Sequence, residues 1–141
     1  MNFQHEFNSL ITTSVSEEPE KLVKKLCRCL EELGIKLYAV VDHERDMEAH
    51  QVYSYPAFTI VFGNPRIGSK LLKQLPLAAI DIPLRISIIK SQSGEGSKVI
   101  FRDMEHLFVD YIKEVKELRH WAQEVNGILT RLVEKCVETN Q

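Results

Sequence analysis

The sequence predicts an α/β domain of the α+β kind: two layers, with a mixed sheet of about five strands, helices packed on it and a long C-terminal helix. Three observations predict it. Short runs rich in β-branched and aromatic residues, such as Ala57 to Phe62, are separated by turn residues. Leu22, Leu26, Leu30 and Leu33 form one helical stripe that ends at Gly34. The last third carries apolar residues on a seven-residue repeat from Met104 to Cys136.

Phe3 to Thr13 reads as the first strand, because Phe3, His5 and Phe7 alternate with Gln4, Glu6 and Asn8. Ser14 and Ser16 offer helix caps, and Glu17 lies three after Ser14 as in a capping box. The first helix should run from about Glu17 to Leu33, with Pro19 tolerated in its first turn. Ile35 to Val41 is the second strand, with Ile35, Leu37, Ala39 and Val41 on one face. Asp42-His43 ends it, and Glu44 to His50 suits one or two helical turns.

Ala57 to Phe62 is almost wholly apolar and therefore central. Gly63-Asn64-Pro65 breaks it; Asn64 can cap, and Pro65 can open a second helix that lasts to Gln74. Pro76 stops that helix, and Leu77 to Ile80 is a short apolar segment before Asp81-Ile82-Pro83. Leu84 to Lys90 and Lys98 to Arg102 form a hairpin across the polar, glycine-bearing link Ser91 to Ser97.

Asp103 caps the C-terminal helix. Its seam is Met104, Phe108, Tyr111, Val115, Leu118, Ala122, Val125, Leu129, Leu132 and Cys136, in steps of four and three without a slip. Unbroken, it would be roughly 50 Å long, more than the ~30 Å of a small domain. Its far half then needs a partner. Either it pairs with its twin in a homodimer, or it breaks near Arg119-His120 or Asn126-Gly127 and folds back. Gly127 costs only about 1 kcal/mol in a helix, too little to force a break, so self-association is the simpler expectation. The chain divides into an α/β domain over residues 1–102 and a heptad-patterned helix over 103–141.

A chain of 141 residues suits one domain that needs no staples to be stable. A net charge of -2 supplies no basic field for phosphate backbones, so no nucleic acid is expected as partner. The amino terminus lacks the apolar run of a signal peptide, and no stretch reaches the ~20 apolar residues of a membrane span. No membrane association and a cytoplasmic location follow as expectations. Cys27 and Cys29 point to nearly opposite helix faces, Cys136 is distant, and all three read as small buried or half-buried thiols. No cofactor and no metal are implied, since no second pair of ligands has the spacing.

Two strand ends are the candidate site. Asp42 and His43 close one strand; Gly63, Asn64 and Pro65 close another and lead into a helix amino terminus, which suits a phosphate or carboxylate. Gly63 and Gly68 allow close approach, and His43 has the titration range of an acid or base, oriented by Asp42 or Asp81. Each feature also has a purely structural use: Asp42 and Asn64 as caps, His43 on a backbone carbonyl, Asp81 in a turn. His43 and His50 lie seven apart with no third ligand beside them.

Gly34-Ile35-Lys36-Leu37-Tyr38-Ala39-Val40-Val41-Asp42-His43 resembles the glycine-led strand and Asp-His pair of domain of unknown function family 302. Phe62-Gly63-Asn64-Pro65, Gly68, Pro76-Leu77-Ala78-Ala79 and Asp81-Ile82-Pro83-Leu84 resemble its second block. The resemblance spans about Gly34 to Arg102. It implies a compact two-layer α/β domain, usually a homodimer, with no established activity. It marks Asp42, His43, Gly63, Asn64, Pro65, Gly68 and Asp81 as the ligand-binding candidates. Glu44-Arg45-Asp46-Met47 and Phe101-Arg102-Asp103 depart from the family's pattern.

The leading expectation is thus a non-enzymatic homodimer that binds a small anionic molecule at these strand ends, with no catalytic residue assigned. An enzyme using His43 as acid/base, and a docking module acting through the C-terminal helix, are the alternatives.

Overall fold

The structure, a computed structural model, describes residues 1–138. Six strands form one sheet: β1 (Gln4–Glu6), β2 (Leu10–Val15), β3 (Lys36–Asp42), β4 (Ala57–Gly63), β5 (Leu84–Lys90) and β6 (Ser97–Arg102). Their order is β1-β2-β6-β5-β4-β3. The helices are α1 (Pro19–Glu32), α2 (His43–Ala49), α3 (Pro65–Gln74), α4 (Met104–Leu107), α5 (Val109–Glu114) and α6 (Leu118–Glu138), with a 3-10 turn at Pro76–Asp81. Sheet, helical layer and long C-terminal helix give the α+β class that the sequence predicts.

The sheet differs from expectation in two details. It is antiparallel throughout rather than mixed. The helical crossover α1 carries the chain from β2 to the opposite edge at β3, so these two strands never become neighbours. The sheet also has six strands, because the expected first strand folds into the hairpin β1–β2. Phe7 and Asn8 adopt φ of 56° and 60°, and the Ser9 N–H donates to the Glu6 carbonyl at 3.2 Å. Positive φ at both central positions matches the twist of a tight hairpin. Phe-Asn carries that signal without the usual glycine.

One sheet face holds the core. Ile11, Phe101, Ile86 and Ile60 stand abreast across four strands, all buried. Leu22, Val23, Leu26 and Leu30 of α1 close over this layer, and α1 packs against β3, β4, β5 and α6. No capping box forms at its start: Ser14 stays in β2, and the cap residue Glu18 makes no side-chain capping bond, its carboxylate accepting from Lys90 instead. The Glu17 carboxylate instead takes the buried Lys25 ammonium at 2.7 Å, which also donates to the Val137 carbonyl at the end of α6. A cation there suits the unpaired carbonyls of a helix terminus.

The continuous C-terminal helix does not form. The chain leaves helical geometry at Val115, then restarts at Leu118, ahead of both break points the sequence offered. α4 folds back on α6, held by Asn126, whose Oδ1 accepts the Met104 N–H at 2.8 Å and whose Nδ2 donates to Asp103 Oδ1 at 2.9 Å. The fold-back lets both halves of the seam bury on the same core: Met104, Phe108, Leu118, Ala122, Val125, Leu129, Leu132 and Cys136 are all buried. One apolar cluster runs from Ile11 to Cys136, across the boundary expected at residue 102. Residues 139–141 of the expected C-terminal unit lie outside the described residues.

The cysteines need a second correction. Cys29 and Cys136 are not separate thiols but a disulfide, with Cα atoms 5.6 Å apart and a sequence separation of 107. The pairing exists because α1 and α6 lie side by side, which no local spacing reveals. Cys27 alone remains a thiol; burial, with the Glu31 charge second, raises its pKa.

Candidate functional site

A cavity of about 350 Å³ opens between the β4–α3 turn, the segment before β5, and α6. Its floor is apolar and buried: Phe62, Trp121, Val125, Leu129 and Leu132. Its mouth is made by the lining residues that reach solvent, Tyr38, Asn64, Pro65 and Pro83. Among the described residues, no Asp, Glu, Lys, Arg or His lines it.

Local sequence explains the mouth. The β3–β4 register shifts between Leu37 and Ala39, so one residue is added at Tyr38. Leu37 therefore pairs with Phe62 while Ala39 pairs with Val61, and the four residues expected on one face of β3 divide between two. Gly63 makes room for the displaced ring, since a Cβ there would stand 3.3 Å from a Tyr38 ring carbon. Gly68 faces Ile82 Cδ1, with ordinary contact space of 3.6 Å for an added Cβ.

The helix amino terminus at the mouth is already satisfied. Pro65 has no N–H, Asn64 Oδ1 accepts from Arg66 N at 3.0 Å, and the Asn64 carbonyl accepts from Ile67 and Gly68 at 3.0 Å each. The expected cap is present. Its donors are spent within the chain.

Four of the seven candidate residues, Gly63, Asn64, Pro65 and Gly68, line this cavity. Asp42 and His43 do not. In an antiparallel pair the carboxyl ends of neighbouring strands point opposite ways. Gly63 pairs with Lys36 and Asp42 with Phe58, so the two strand ends are separated by six residues, roughly 20 Å. Asp42 caps α2 through Arg45 N at 3.0 Å. His43 Nε2 bonds Thr59 Oγ1 at 2.8 Å, and that hydroxyl meets Ser87 Oγ at 2.8 Å. Thr59 and Ser87 alternate with the buried Ile60 and Ile86, which places this chain on the sheet face away from α1.

Asp81 supports the cavity from behind. It accepts the Tyr111 hydroxyl at 2.7 Å, directly before the lining residues Ile82 and Pro83. Tyr111 meets Phe108 edge-on at 5.1 Å, and Phe108 stacks on Trp121 at 5.1 Å with planes 7° apart. The series Asp81–Tyr111–Phe108–Trp121 thus ties one cavity wall to the floor. The Trp121 Nε1–H is buried and has no acceptor, an exception among buried polar groups.

The hydrogen bond to Asp81 raises the Tyr111 pKa above the ordinary tyrosine value, with burial and the carboxylate charges adding to it. A raised pKa in the folded state means stability that is complete below about pH 10 and is lost as pH rises through the folded value. Ultraviolet titration of the wild type against Tyr111→Phe should therefore show Tyr111 ionising late. Asp81→Asn should bring it back toward normal; an unchanged curve would remove the latch.

The floor residues Trp121, Val125, Leu129 and Leu132 were not legible as site residues. Their heptad spacing is the signal of any buried helix face. Among the described residues no three His, Cys, Asp or Glu side chains group to hold a metal, and no helix is long and apolar enough to cross a membrane.

The fold matches a solved structure, the crystal structure of an uncharacterized conserved protein DUF302 from Bacillus stearothermophilus, with a TM-score of 0.75 and 14% identity. The match covers 92% of this chain and 95% of that one. No curated protein matches the chain. The family model described as Domain of unknown function DUF302 matches residues 11–136, and with nearly the whole described fold inside that span, the chain belongs to this family.

Proposed function

We propose that the chain is a binding domain for a small, mainly apolar molecule held in the cavity between α3 and α6. The observation that carries this is the cavity itself: about 350 Å³, an apolar floor and no charged side chain in its lining. Ligand sites of about 300–1,000 Å³ have this composition. Gly63 and Gly68 keep it open where larger residues would fill it. His43 stands at the other end of β3, and the bonds of Asp42 and Asp81 go to Arg45 and Tyr111, so the reading includes no acid/base chemistry. The reading does not rest on self-association: most of the seam that would serve a twin helix is buried within the chain.

Trp121, the sole tryptophan, is a reporter in the floor. N-phenylnaphthylamine, a neutral fluorescent probe, should quench Trp121 by energy transfer on binding. Gly68→Leu, which extends a side chain into the cavity, should weaken that binding by about tenfold or more, roughly 1.4 kcal/mol. Circular dichroism checks that the variant is folded. Equal affinity in both proteins would sink the proposal.

A further inference from the structure

Granting the reading that the cavity binds a small apolar molecule, we infer that its ligand is an amphiphile whose carboxylate head sits at the mouth between Lys36 and Arg66. The floor suits an apolar body, with the Trp121 Nε1–H as its one buried side-chain donor among the described residues. The mouth is different: two exposed cations, Lys36 and Arg66, flank its rim residues Tyr38 and Pro65 in sequence. Lys36 Nζ stands 5.3 Å from the centroid of the Tyr38 ring, and that ring is part of the exposed rim. Arg66 follows Pro65 directly and is exposed. Neither takes part in the ion pairs found among the described residues. Asn64 Oδ1 is occupied by Arg66 N, which leaves its amide Nδ2 to donate.

Among the described residues no carboxylate lines the cavity to oppose an anion. Glu124, one residue from the floor residue Val125, faces His120 at 3.8 Å. The exposed rim is also the physically suitable place for the head. A carboxylate taken to the floor would lose its water for at most one neutral donor, the Trp121 Nε1–H, whereas at the rim it keeps solvent and gains charge-assisted hydrogen bonds.

Octanoate and octanol share a tail and differ in the head, so their titration against Trp121 fluorescence separates the two claims. At low salt octanoate should bind roughly tenfold more tightly, and added salt should shrink that margin. The doubly substituted Lys36→Gln, Arg66→Gln protein should bind the two equally while holding octanol as before. Both substitutions are at exposed positions, so the fold is kept. Equal affinity in the wild type, or a preference that survives both substitutions, overturns the head-group inference and leaves the cavity reading standing. Binding of neither compound overturns both.

Discussion

Replacing Cys29 and Cys136 together with alanine should lower stability by about 2–5 kcal/mol. The cross-link joins positions 107 apart, and for a loop of about 100 residues lost chain entropy in the unfolded state comes to roughly 4.7 kcal/mol. Both residues are buried, so their packing adds to the effect. In a chain of this size the change corresponds to a fall in Tm of roughly 8–20 °C. Urea denaturation should show a lower midpoint and a steeper slope, because the untethered unfolded chain exposes more surface. A reductant should bring the wild type most of the way to the variant's curve, short of it by the packing the alanines lose, and leave the variant unmoved. A wild-type curve indifferent to reductant, with intact thiols counted afterwards, would show that the bridge does not stabilise the fold. The same free energy separates the chain in an oxidising compartment from the chain in a reducing one.

Phe108→Ala should cost about 3–5 kcal/mol. Phe108 is fully buried between two aromatic neighbours, stacked on Trp121 and edge-on to Tyr111. Truncation removes both ring contacts, each worth about 0.5–1.5 kcal/mol beyond burial, and opens a void behind the cavity floor. Phe108→Leu keeps more of the buried volume and should cost roughly 1.5 kcal/mol. The functional consequence is separable from stability. At temperatures where the alanine variant stays folded, Trp121 loses the ring that fixes its plane. Probe affinity should then drop more than in the leucine variant. If Phe108→Ala unfolds no earlier than Phe108→Leu, the aromatic stack is not the support described.

Most of the fold was legible because it rests on local rules. The α3 boundaries follow from Asn64 as cap and Pro65 as first helical residue, the end of α1 from Gly34 at φ 75°, and the start of α4 from Asp103 accepting the Glu105 and His106 N–H groups. β4 follows from a nearly unbroken apolar run, and β5 from Leu84, Ile86 and Ile88 alternating with Arg85 and Ser87. The errors share one origin. A heptad pattern states which residues want burial and not against what; here fold-back buries most of the seam from Met104 to Cys136 within the chain. The hairpin at Phe7-Asn8 was hidden because strand propensity continues on both sides of it.

The candidate site was legible by half. Gly63, Asn64, Pro65 and Gly68 were found because glycine, cap and proline mark a turn where backbone approaches closely. Asp42 and His43 were grouped with them because both runs close a strand, which brings them together only where the two strand ends share one edge. In the antiparallel sheet those ends are opposed. Strand direction depends on where α1 delivers the chain, which is a property of the whole topology.

By itself, then, the sequence determined the elements, the stripes they bury and the turn that rims the cavity, because caps, prolines and apolar periodicity act over a few residues. The tertiary structure alone decided the sheet's direction, the break after Glu114, the Cys29–Cys136 bridge and the joining of Trp121 to Gly63 across α3 and α6. These depend on contacts between residues far apart in the chain, where closing a loop costs entropy that no short window of sequence encodes.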